Sequence, residues 1–336
     1  MSELIVEDLH VDIPIDGNVL HAVRGVSFKV HQGETLCIVG ESGCGKSLTA
    51  LSILGLLPKK ARRAVKSLRF GELDLASLDE RALSRIRGDR ISMIFQDPMT
   101  SLNPSYTIGN QLEEVYLRHK REGRRAARQR AIEVLAKVKI PDPEQRLMQY
   151  PHQLSGGLRQ RIMIAMGLMC EPELLIADEP TTALDVHIQV QILKLLRELQ
   201  RELGLSIVLI THDLGIVARF AQKVAVMYAG KIVESGPVKS VFATPSHPYT
   251  RGLLECIPIP GKTPRKGELG AIPGVVPSLI GKISGCAFAS RCSLAAPICN
   301  NEVRKHALSN AHMCECNFPM SSTLSLASEG SEVIDV

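Results

Sequence analysis

The motif GESGCGKS at residues 40–47 constrains the fold of this chain more than any other part of its sequence. It fits the pattern G-x-x-x-x-G-K-[ST], and it lies between an apolar run typical of a buried strand and a segment with helical apolar spacing. In such a loop, consecutive backbone N–H groups surround phosphate oxygens, and the helix N-terminus adds its positive dipole end. The motif therefore predicts a nucleotide-phosphate site; a glycine-rich turn that binds nothing is the alternative.

The predicted phosphate site assigns a different role to each kind of residue in the motif. Lys46 would hold the β- and γ-phosphates of a bound nucleotide, and the hydroxyl of Ser47 would hold a magnesium ion. The other members would present backbone N–H groups to the phosphates. The nucleotide-binding residues predicted here are Gly40, Glu41, Ser42, Gly43, Cys44, Gly45, Lys46, Ser47 and Leu48.

The order of apolar segments predicts an α/β core. Residues 1–39 alternate apolar and polar positions, which favours paired strands that lead into the phosphate loop. Residues 174–177 and 206–211 have the pattern of buried strands on either side of a helical segment. A strand, a helix and a strand in that order predict parallel pairing with a right-handed crossover. Residues 98–170, interrupted by prolines, are predicted to be mostly helical.

The composition is that of an ordinary soluble globular protein. The 336 residues are 45% apolar with a formal net charge of +5, and the local basic runs fit solvated helix faces better than nucleic acid or anionic lipid. No apolar run approaches the roughly 18 residues that a membrane helix needs, and the acidic N-terminus lacks a signal-peptide pattern. We therefore expect a cytosolic chain, in which clustered cysteines indicate metal or redox chemistry and not disulfides.

The segment LLIADEP places two acids at the end of a predicted buried strand. Asp178 can hold magnesium through its water shell, and Glu179 is placed to polarise an attacking water. Two acids at such a position could equally cap a helix N-terminus. The presence of the phosphate loop favours the catalytic interpretation.

The stretch LSGGLRQR at residues 154–161 provides a second anion-binding end, because a serine and two glycines open a predicted helix. Two phosphate-binding ends for one nucleotide would be redundant within a monomer. A head-to-tail dimer would instead let Ser155, Gly156 and Gly157 of one subunit close over the nucleotide that the other subunit holds.

Together these motifs resemble the ATP-binding subunits of ABC transporters, with LSGG as the signature sequence. The resemblance implies a P-loop (RecA-like) ATPase core with an antiparallel β subdomain and an α-helical subdomain at about residues 98–170. It assigns Gln96 to the Q-loop, which senses magnesium and the attacking water, His212 to a γ-phosphate contact, and Asp185 to the D-loop. Without the resemblance, Gln96 is a strand-end polar residue, His212 a capping or core histidine, and Asp185 a helix N-cap.

One position departs from the family pattern. These subunits commonly stack adenine on an aromatic residue in the first strands, but the first aromatic residue of this chain is Phe28. Ile13 stands at the expected position, with His10 or His21 as substitutes. Because stacking provides much of the hold on the base, the sequence predicts looser discrimination between ATP and GTP.

The stretches MIFQDPMTSLNP, YPHQLSGGLRQRIMIAMGL and HPYTRGLLECIP resemble the dipeptide and oligopeptide importer branch, and the resemblance covers about residues 3–319. After about residue 258 the composition changes to Pro, Gly and Cys with few long periodic runs, which predicts a separate small unit, and the residues after about 320 are typical of a disordered tail. We therefore expect an ATPase domain at residues 1–258, a branch-type extension at 259–320 and a disordered tail at 321–336. The implied partners are a second ABC ATPase subunit, two membrane permease subunits and, indirectly, an extracytoplasmic solute-binding protein. The chain would then lie peripherally on the cytoplasmic face of the inner membrane.

The expected function is that of an ATP-hydrolysing, energy-coupling importer subunit, in which ATP closes a dimer and thereby moves the membrane subunits. Dipeptides, longer peptides, nickel chelates and glutathione are all open as cargo. The dimer is either two copies or a pair with a related chain. A soluble ABC ATPase that acts on nucleic acid is the alternative, but the chain has one nucleotide cassette and no sustained heptads, so we expect no nucleic-acid partner.

Five of the nine cysteines lie in the last fifty-odd residues. In the importer branch, a C-terminal extension carries four cysteines that bind an iron–sulfur cluster in some members, and Cys286, Cys292 and Cys299 stand at three of those positions. Because the C-x-x-C pairs usual for zinc ribbons are absent, the spacing favours a [4Fe-4S] cluster over zinc. Reduced thiols in a compact cap are the alternative.

The fourth cluster position is ambiguous, since Cys314 and Cys316 are both available. The branch pattern resembles a histidine, three residues, then the cysteine, with a proline soon after. His312 and Pro319 then select Cys316 and leave Cys314 as an extra.

Overall fold

The computed structural model describes residues 2–182, 184–257, 271–281, 284–309 and 311–320, and for Pro98 and Met99 it describes the backbone alone. The predicted disordered tail at residues 321–336 lies outside these ranges. The strands are β1 Leu4–Ile15, β2 Asn18–Val30, β3 Thr35–Val39, β4 Arg62–Ala64, β5 Ser67–Phe70, β6 Leu73–Asp74, β7 Ile91–Ile94, β8 Leu174–Asp178, β9 Ser206–Thr211, β10 Lys223–Tyr228, β11 Lys231–Pro237, β12 Lys305–Ser309 and β13 His312–Glu315. The helices are α1 Lys46–Ile53, α2 Glu80–Ile86, α3 Pro98–Ser101, α4 Ile108–His119, α5 Gly123–Lys137, α6 Pro143–Arg146, α7 Gly156–Leu168, α8 Val186–Leu203, α9 Leu214–Phe220, α10 Val238–Ala243 and α11 Pro248–Glu255, with short 3-10 turns at Pro151–Gln153, Ala289–Arg291 and Pro297–Asn300.

The larger sheet has the strand order β12-β13-β11-β10-β3-β9-β8-β7 among the described residues. Strands β10, β3, β9, β8 and β7 are parallel, whereas β11, β13 and β12 continue the sheet with antiparallel pairing. Strand β9 occupies the predicted residues 206–211, and it pairs in parallel with β8 after the connecting helix α8. The predicted α/β core is confirmed.

The central strands are apolar along their length because both faces of the larger sheet are covered. In β3, Cys37 and Val39 face the core that also contains α4, α5 and α7, whereas Leu36 and Ile38 face the core that contains α1 and β1. Successive side chains of a strand point to opposite faces, so a strand buried on both faces shows no polar alternation. The phosphate loop therefore starts from a strand that is held on both sides.

The smaller sheet is antiparallel, with the order β2-β1-β5-β6 and with β4 paired to β1. It packs over α1 through the second core. Helices α3 to α7 occupy the predicted helical segment, and α4, α5 and α7 pack around a shared apolar cluster. The predicted antiparallel and helical parts of the fold are thus both present.

The C-terminal extension pairs through its backbone with a strand of each sheet. In β13, Cys314 lies opposite Glu234 of β11, so the hairpin of β12 and β13 continues the larger sheet. Upstream of it, the backbone N–H of His21 in β2 donates to the carbonyl oxygen of Leu279 at 2.9 Å. The extension is therefore packed onto the core and does not stand apart as a separate unit. The boundary at residue 258 stays a prediction, since residues 258–270 lie outside the described ranges.

Candidate functional site

The predicted phosphate loop connects β3 to α1, and two of its glycines lie against neighbouring backbone. A β-carbon at Gly40 would collide with the carbonyl oxygen of Met227 in β10. One at Gly45, where φ is +104°, would collide with the carbonyl oxygen of Ala22 in β2. Only glycine fits such close approaches. The loop is thus fixed between strands of both sheets.

Lys46 folds back within the loop and is only 5% exposed. Its Nζ donates to the carbonyl oxygens of Gly40 and Glu41, each at 2.9 Å. An ammonium held within a phosphate loop is placed to exchange these carbonyl partners for phosphate oxygens. The position of Lys46 therefore fits the role predicted for it.

The predicted magnesium ligands of the loop and of β8 contact each other, as Ser47 Oγ donates to Asp178 Oδ1 at 3.1 Å. Magnesium is bound by few protein oxygens and completes its shell with water and phosphate oxygens. A hydroxyl and a carboxylate at this spacing, beside the phosphate loop, fit that donor set. Gln96, the third predicted magnesium contact, instead donates a hydrogen bond to Glu179.

Asp178 is buried, and burial raises the pKa of its carboxyl above the usual range. The hydrogen bond from Ser47 opposes this shift, the charge of Glu179 adds to it, and the charge of Lys46 opposes it. A cation beside a desolvated carboxyl favours its ionised form. A divalent ion bound beside Asp178 would therefore stabilise the ionised form of its carboxyl.

Glu179 is the centre of the predicted catalytic group. Its Oε2 accepts hydrogen bonds from Gln96 Nε2 at 3.0 Å and from Thr182 Oγ1 at 2.9 Å. Its Oε1 lies 3.4 Å from Nδ1 of His212. Its backbone has φ of +46°, a conformation that is costly for a non-glycine residue and is found preferentially at functional sites. The structure therefore brings Glu179, Gln96 and His212 together.

His212 is neither a core nor a capping residue in this arrangement. Its side chain is 62% exposed, and the N-cap of α9 is the next residue, Asp213. Its contact with the γ-phosphate stays a prediction. The hydrogen bond from Thr182 to Glu179 was not predicted. The available signal was a hydroxyl residue three positions after Glu179, at the start of the stretch TALD (residues 182–185).

The signature and D-loop residues cap helices of their own chain. Ser155 is the N-cap of α7, and its Oγ accepts from the N–H of Leu158 at 3.4 Å. Asp185 is the N-cap of α8, and its Oδ1 accepts from the N–H of Ile188 at 2.9 Å. Ser155, Gly156 and Asp185 are exposed. Their contact with a nucleotide on a second subunit stays a prediction.

The predicted base position lies beside the extension. Ile13 pairs with Leu20 across β1 and β2, and Leu20 forms a bridge with Ile280 of the extension. His10 and His21 each contact a carboxylate of β1, at 3.1 and 2.7 Å. An isoleucine of the extension thus lies on the other side of Leu20 from Ile13, and the role of Ile13 toward the base stays a prediction.

Four of the C-terminal cysteines line one cavity of about 10 Å³, which is room for roughly one water molecule. They are Cys286, Cys292, Cys299 and Cys316. Cys314 does not line this cavity but is buried within β13. The four cysteines predicted from the branch pattern are therefore the same four that line this cavity.

Of the four grouped cysteines, Cys299 and Cys316 are buried, and Cys286 and Cys292 are partly buried. Burial raises the pKa of Cys286 and of Cys292, and it raises that of Cys316 to about 11, with the three neighbouring thiols acting in the same direction. In the part of the chain that the structure describes, no group of three or more His, Cys, Asp or Glu side chains could hold a metal ion. The four predicted cluster ligands thus lie around one cavity, but within the described residues their arrangement does not form a site for a single metal ion.

Two residues from the last third of the sequence, Tyr249 and Arg291, contact the phosphate loop, and neither contact was predicted. The N–H of Glu41 donates to the hydroxyl of Tyr249 at 3.0 Å, and Arg291 Nη1 lies 2.7 Å from Glu41 Oε2. Tyr249 belongs to the stretch HPYTRGLLECIP, which resembles the importer branch, and Arg291 lies between two predicted cluster ligands. No local sequence pattern relates either residue to the loop.

Comparison with known proteins decides the family. Residues 23–182 match the ABC transporter family, and residues 233–299 match the oligopeptide/dipeptide transporter C-terminal region. The chain is 51% identical to the dipeptide transport ATP-binding protein DppD of Bacillus subtilis (strain 168) over 316 residues, which is 93% of each chain. The chain belongs to the dipeptide and oligopeptide ABC transporter ATP-binding family.

Other members of this peptide-transporter ATP-binding family are similarly related. The oligopeptide transport ATP-binding protein OppD of Bacillus subtilis (strain 168) is 50% identical, with 88% of this chain and 82% of the relative covered. A solved structure, the dimeric MJ0796 bacterial ABC transporter cassette, superposes with a TM-score of 0.62 at 27% identity and covers 70% of this chain and 98% of its own. The cassette fold is thus confirmed. Within the described ranges, no helix has the length and apolarity needed to span a membrane.

Proposed function

We propose that this chain is the ATP-hydrolysing, energy-coupling subunit of an ABC importer for dipeptides, oligopeptides or related small solutes. The observation that carries the proposal is the contact of Glu179 with both Gln96 and His212. The strand that precedes Glu179 ends with Asp178, which contacts Ser47 of the phosphate loop. A water-polarising carboxylate and a magnesium-binding pair thus adjoin one phosphate loop. Family membership and the matched C-terminal region support peptides as the cargo.

The residues of the site divide the work of hydrolysis. Lys46 and the loop amides hold the β- and γ-phosphates. Glu179 accepts a hydrogen bond from the attacking water and polarises it, while Gln96 and His212 fix the carboxylate and turn toward the water and the γ-phosphate when ATP is bound. Ser47 and, through water, Asp178 would hold a magnesium ion, which would supply positive charge to the phosphates.

The working unit is a head-to-tail dimer, in which Ser155, Gly156, Gly157 and Asp185 of one subunit approach the nucleotide of the other. Ser155 and Asp185 are exposed at helix N-termini, where an anion is stabilised. The similar MJ0796 cassette is described as dimeric, which supports this arrangement. ATP binding then closes the dimer, and hydrolysis reopens it.

The proposed partners are a second ATP-binding subunit, two membrane permease subunits and, through them, an extracytoplasmic solute-binding protein. The chain would lie on the cytoplasmic face of the inner membrane, with its ATPase domain at residues 1–258 and its extension at 259–320. Tagged chain recovered from detergent-solubilised membranes should carry polytopic permeases with it. Recovery with ribosomes or DNA, and without permeases, would favour the nucleic-acid alternative.

We also propose that the extension holds a [4Fe-4S] cluster on Cys286, Cys292, Cys299 and Cys316. The common cavity of these four thiols supports the proposal. In a four-iron cluster each thiolate binds a different iron, so the sulfurs stand farther apart than the ligands of a single zinc ion, whose Zn–S bonds measure about 2.3 Å. Because the cavity is small, the sulfurs must move outward to admit a cluster, which would cross-link a region with few helical or strand contacts.

Anaerobically purified protein tests the cluster. The wild type should be brown with visible absorption; Cys316→Ser should lose the colour and Cys314→Ser should keep it. The second variant is the matched control, since Cys314 is also buried but lies outside the cavity. Metal-free, colourless protein with a folded extension would refute the proposal, and the reverse result for the two variants would make Cys314 the ligand.

A further inference from the structure

Arg291 joins the cysteine-bearing extension to the phosphate loop through Glu41. Its Nη1 lies 2.7 Å from Oε2 and its Nη2 2.9 Å from Oε1 of that carboxylate. Such bidentate pairs are strong and directional. We propose that Arg291 is a positioning residue for ATP binding, which acts through Glu41 on the conformation of the phosphate loop. The proposal rests on the proposed binding of ATP by that loop.

The guanidinium of Arg291 is held firmly from the side of the extension. Its Nε donates to the carbonyl oxygen of Pro273 at 2.9 Å, and its Nη2 donates to that of Ile272 at 3.1 Å. It also lies 5.8 Å from the ring centroid of Tyr228, and its side chain is only 4% exposed. A planar guanidinium restrained on so many sides is pre-organised for the carboxylate. Arg291 is therefore a fixed anchor to which the loop is attached.

Glu41 passes this restraint to the rest of the loop. Its N–H donates to the hydroxyl of Tyr249 at 3.0 Å, and its carbonyl oxygen accepts from Lys46 Nζ at 2.9 Å. The side chain, N–H and carbonyl of one loop residue are thus all engaged. A loop that is already ordered loses less conformational entropy when a ligand binds, and the ligand binds more tightly. Loss of Arg291 should therefore weaken ATP binding.

The position of Arg291 also connects the cysteines to the loop. Arg291 ends the 3-10 turn Ala289–Arg291, and its N–H donates to the carbonyl oxygen of Phe288 at 2.9 Å. Phe288, Cys286 and Cys292 all line the cysteine cavity. Substitution of Cys286 or Cys292, or binding of a group by their thiols, would displace the 3-10 turn Ala289–Arg291. The affinity of the loop for ATP should thus depend on the state of the cysteine cavity.

Titration of the full-length chain with a fluorescent ATP analogue measures this coupling. Arg291→Gln and Glu41→Gln should each raise Kd about tenfold, and the double variant should raise it no further, because both changes remove one shared interaction. Arg291→Lys should fall between, since it keeps the charge but loses the bidentate geometry. Arg304→Gln, at an exposed arginine of the same extension, is the matched control and should leave Kd unchanged.

A second titration follows the path to the cysteines. Cys292→Ser should raise Kd in the wild-type background and have little further effect in the Arg291→Gln background. An unchanged Kd for Arg291→Gln and Glu41→Gln, or additive effects in their double variant, would overturn the proposal. Loss of folded protein lowers the number of binding sites and not the affinity, and Glu41→Gln leaves the contacts of Arg291 with the extension intact.

The Lys46→Ala variant distinguishes a failure of the proposed ATP site from a failure of the positioning role of Arg291. If that variant binds ATP as tightly as the wild type, the proposed ATP site itself fails. If it loses ATP while Arg291→Gln and Glu41→Gln bind normally, the phosphate loop stands and only the positioning role of Arg291 is overturned.

Discussion

Burial of His247 predicts a specific loss of stability in acid. The residue is 1% exposed and is the N-cap of α11, where its Nδ1 accepts from the N–H of Tyr249 at 3.0 Å. Burial lowers the pKa of His247 from 6.5 to about 3. The unfolded chain therefore binds a proton below pH 6.5 that the folded chain does not bind until about pH 3. The stability that depends on neutral His247 is complete above pH 6.5 and is lost as the pH falls through this window.

His247→Asn isolates this effect, because an asparagine oxygen can also cap the helix but does not titrate. Two pH units below the unfolded pKa correspond to about 3 kcal/mol. Between pH 7 and pH 4.5, the free energy of unfolding of the wild type should therefore fall by about 3 kcal/mol more than that of the variant. Urea unfolding followed by circular dichroism at both pH values measures it. Parallel changes in wild type and variant would refute the reasoning, since other titrating groups are common to both proteins.

Two further predictions concern the nucleotide. Lys46→Ala should weaken ATP binding by at least about 100-fold, because the phosphates lose a charged partner, and calorimetry of the isolated subunit checks this; near-normal affinity would contradict the phosphate-loop assignment. Ser155→Arg should change ATP binding to an isolated subunit less than about twofold but block ATP-driven dimerisation and hydrolysis, as seen by size-exclusion chromatography with a phosphate-release assay; a dimer that still forms would argue against the composite site.

The elements around the phosphate loop are predictable because their patterns are strong. After Ser206, strand β9 consists of consecutive β-branched and apolar residues; all of its residues are buried, and its bounds agree with the prediction. In α8, the buried positions include Ile192, Leu195, Leu196 and Leu199, which recur at helical spacing. The capping residues Ser155 and Asp185 mark helix starts that the sequence also predicts.

Contacts between distant segments are not predictable in this way. Arg291 and Glu41 are 250 positions apart, and no periodicity relates an arginine among cysteines to a phosphate loop. Strand β12 alternates exposed and partly buried residues, which is typical of an edge strand but does not name its neighbour. The attachment of the extension to the larger sheet and to β2 therefore emerges only from the three-dimensional arrangement.

Several site residues have a structural role that needs the same residue type as the predicted functional role. Ser155 and Asp185 cap their own helices, and that role requires the same residue types as a contact with a partner's nucleotide. Ile13 packs in β1 whether or not a base lies near it.

Hydrolysis by the Glu179→Gln variant tests the central claim most directly. The amide keeps the shape of the side chain but cannot polarise water as a carboxylate does. In the complex purified with its membrane partners, we expect ATP to bind with a Kd within about twofold of the wild type and single-turnover hydrolysis to fall by at least about 100-fold. Wild-type hydrolysis by this variant would contradict the account, because the carboxylate that Gln96 and His212 contact would then not be the group that activates water.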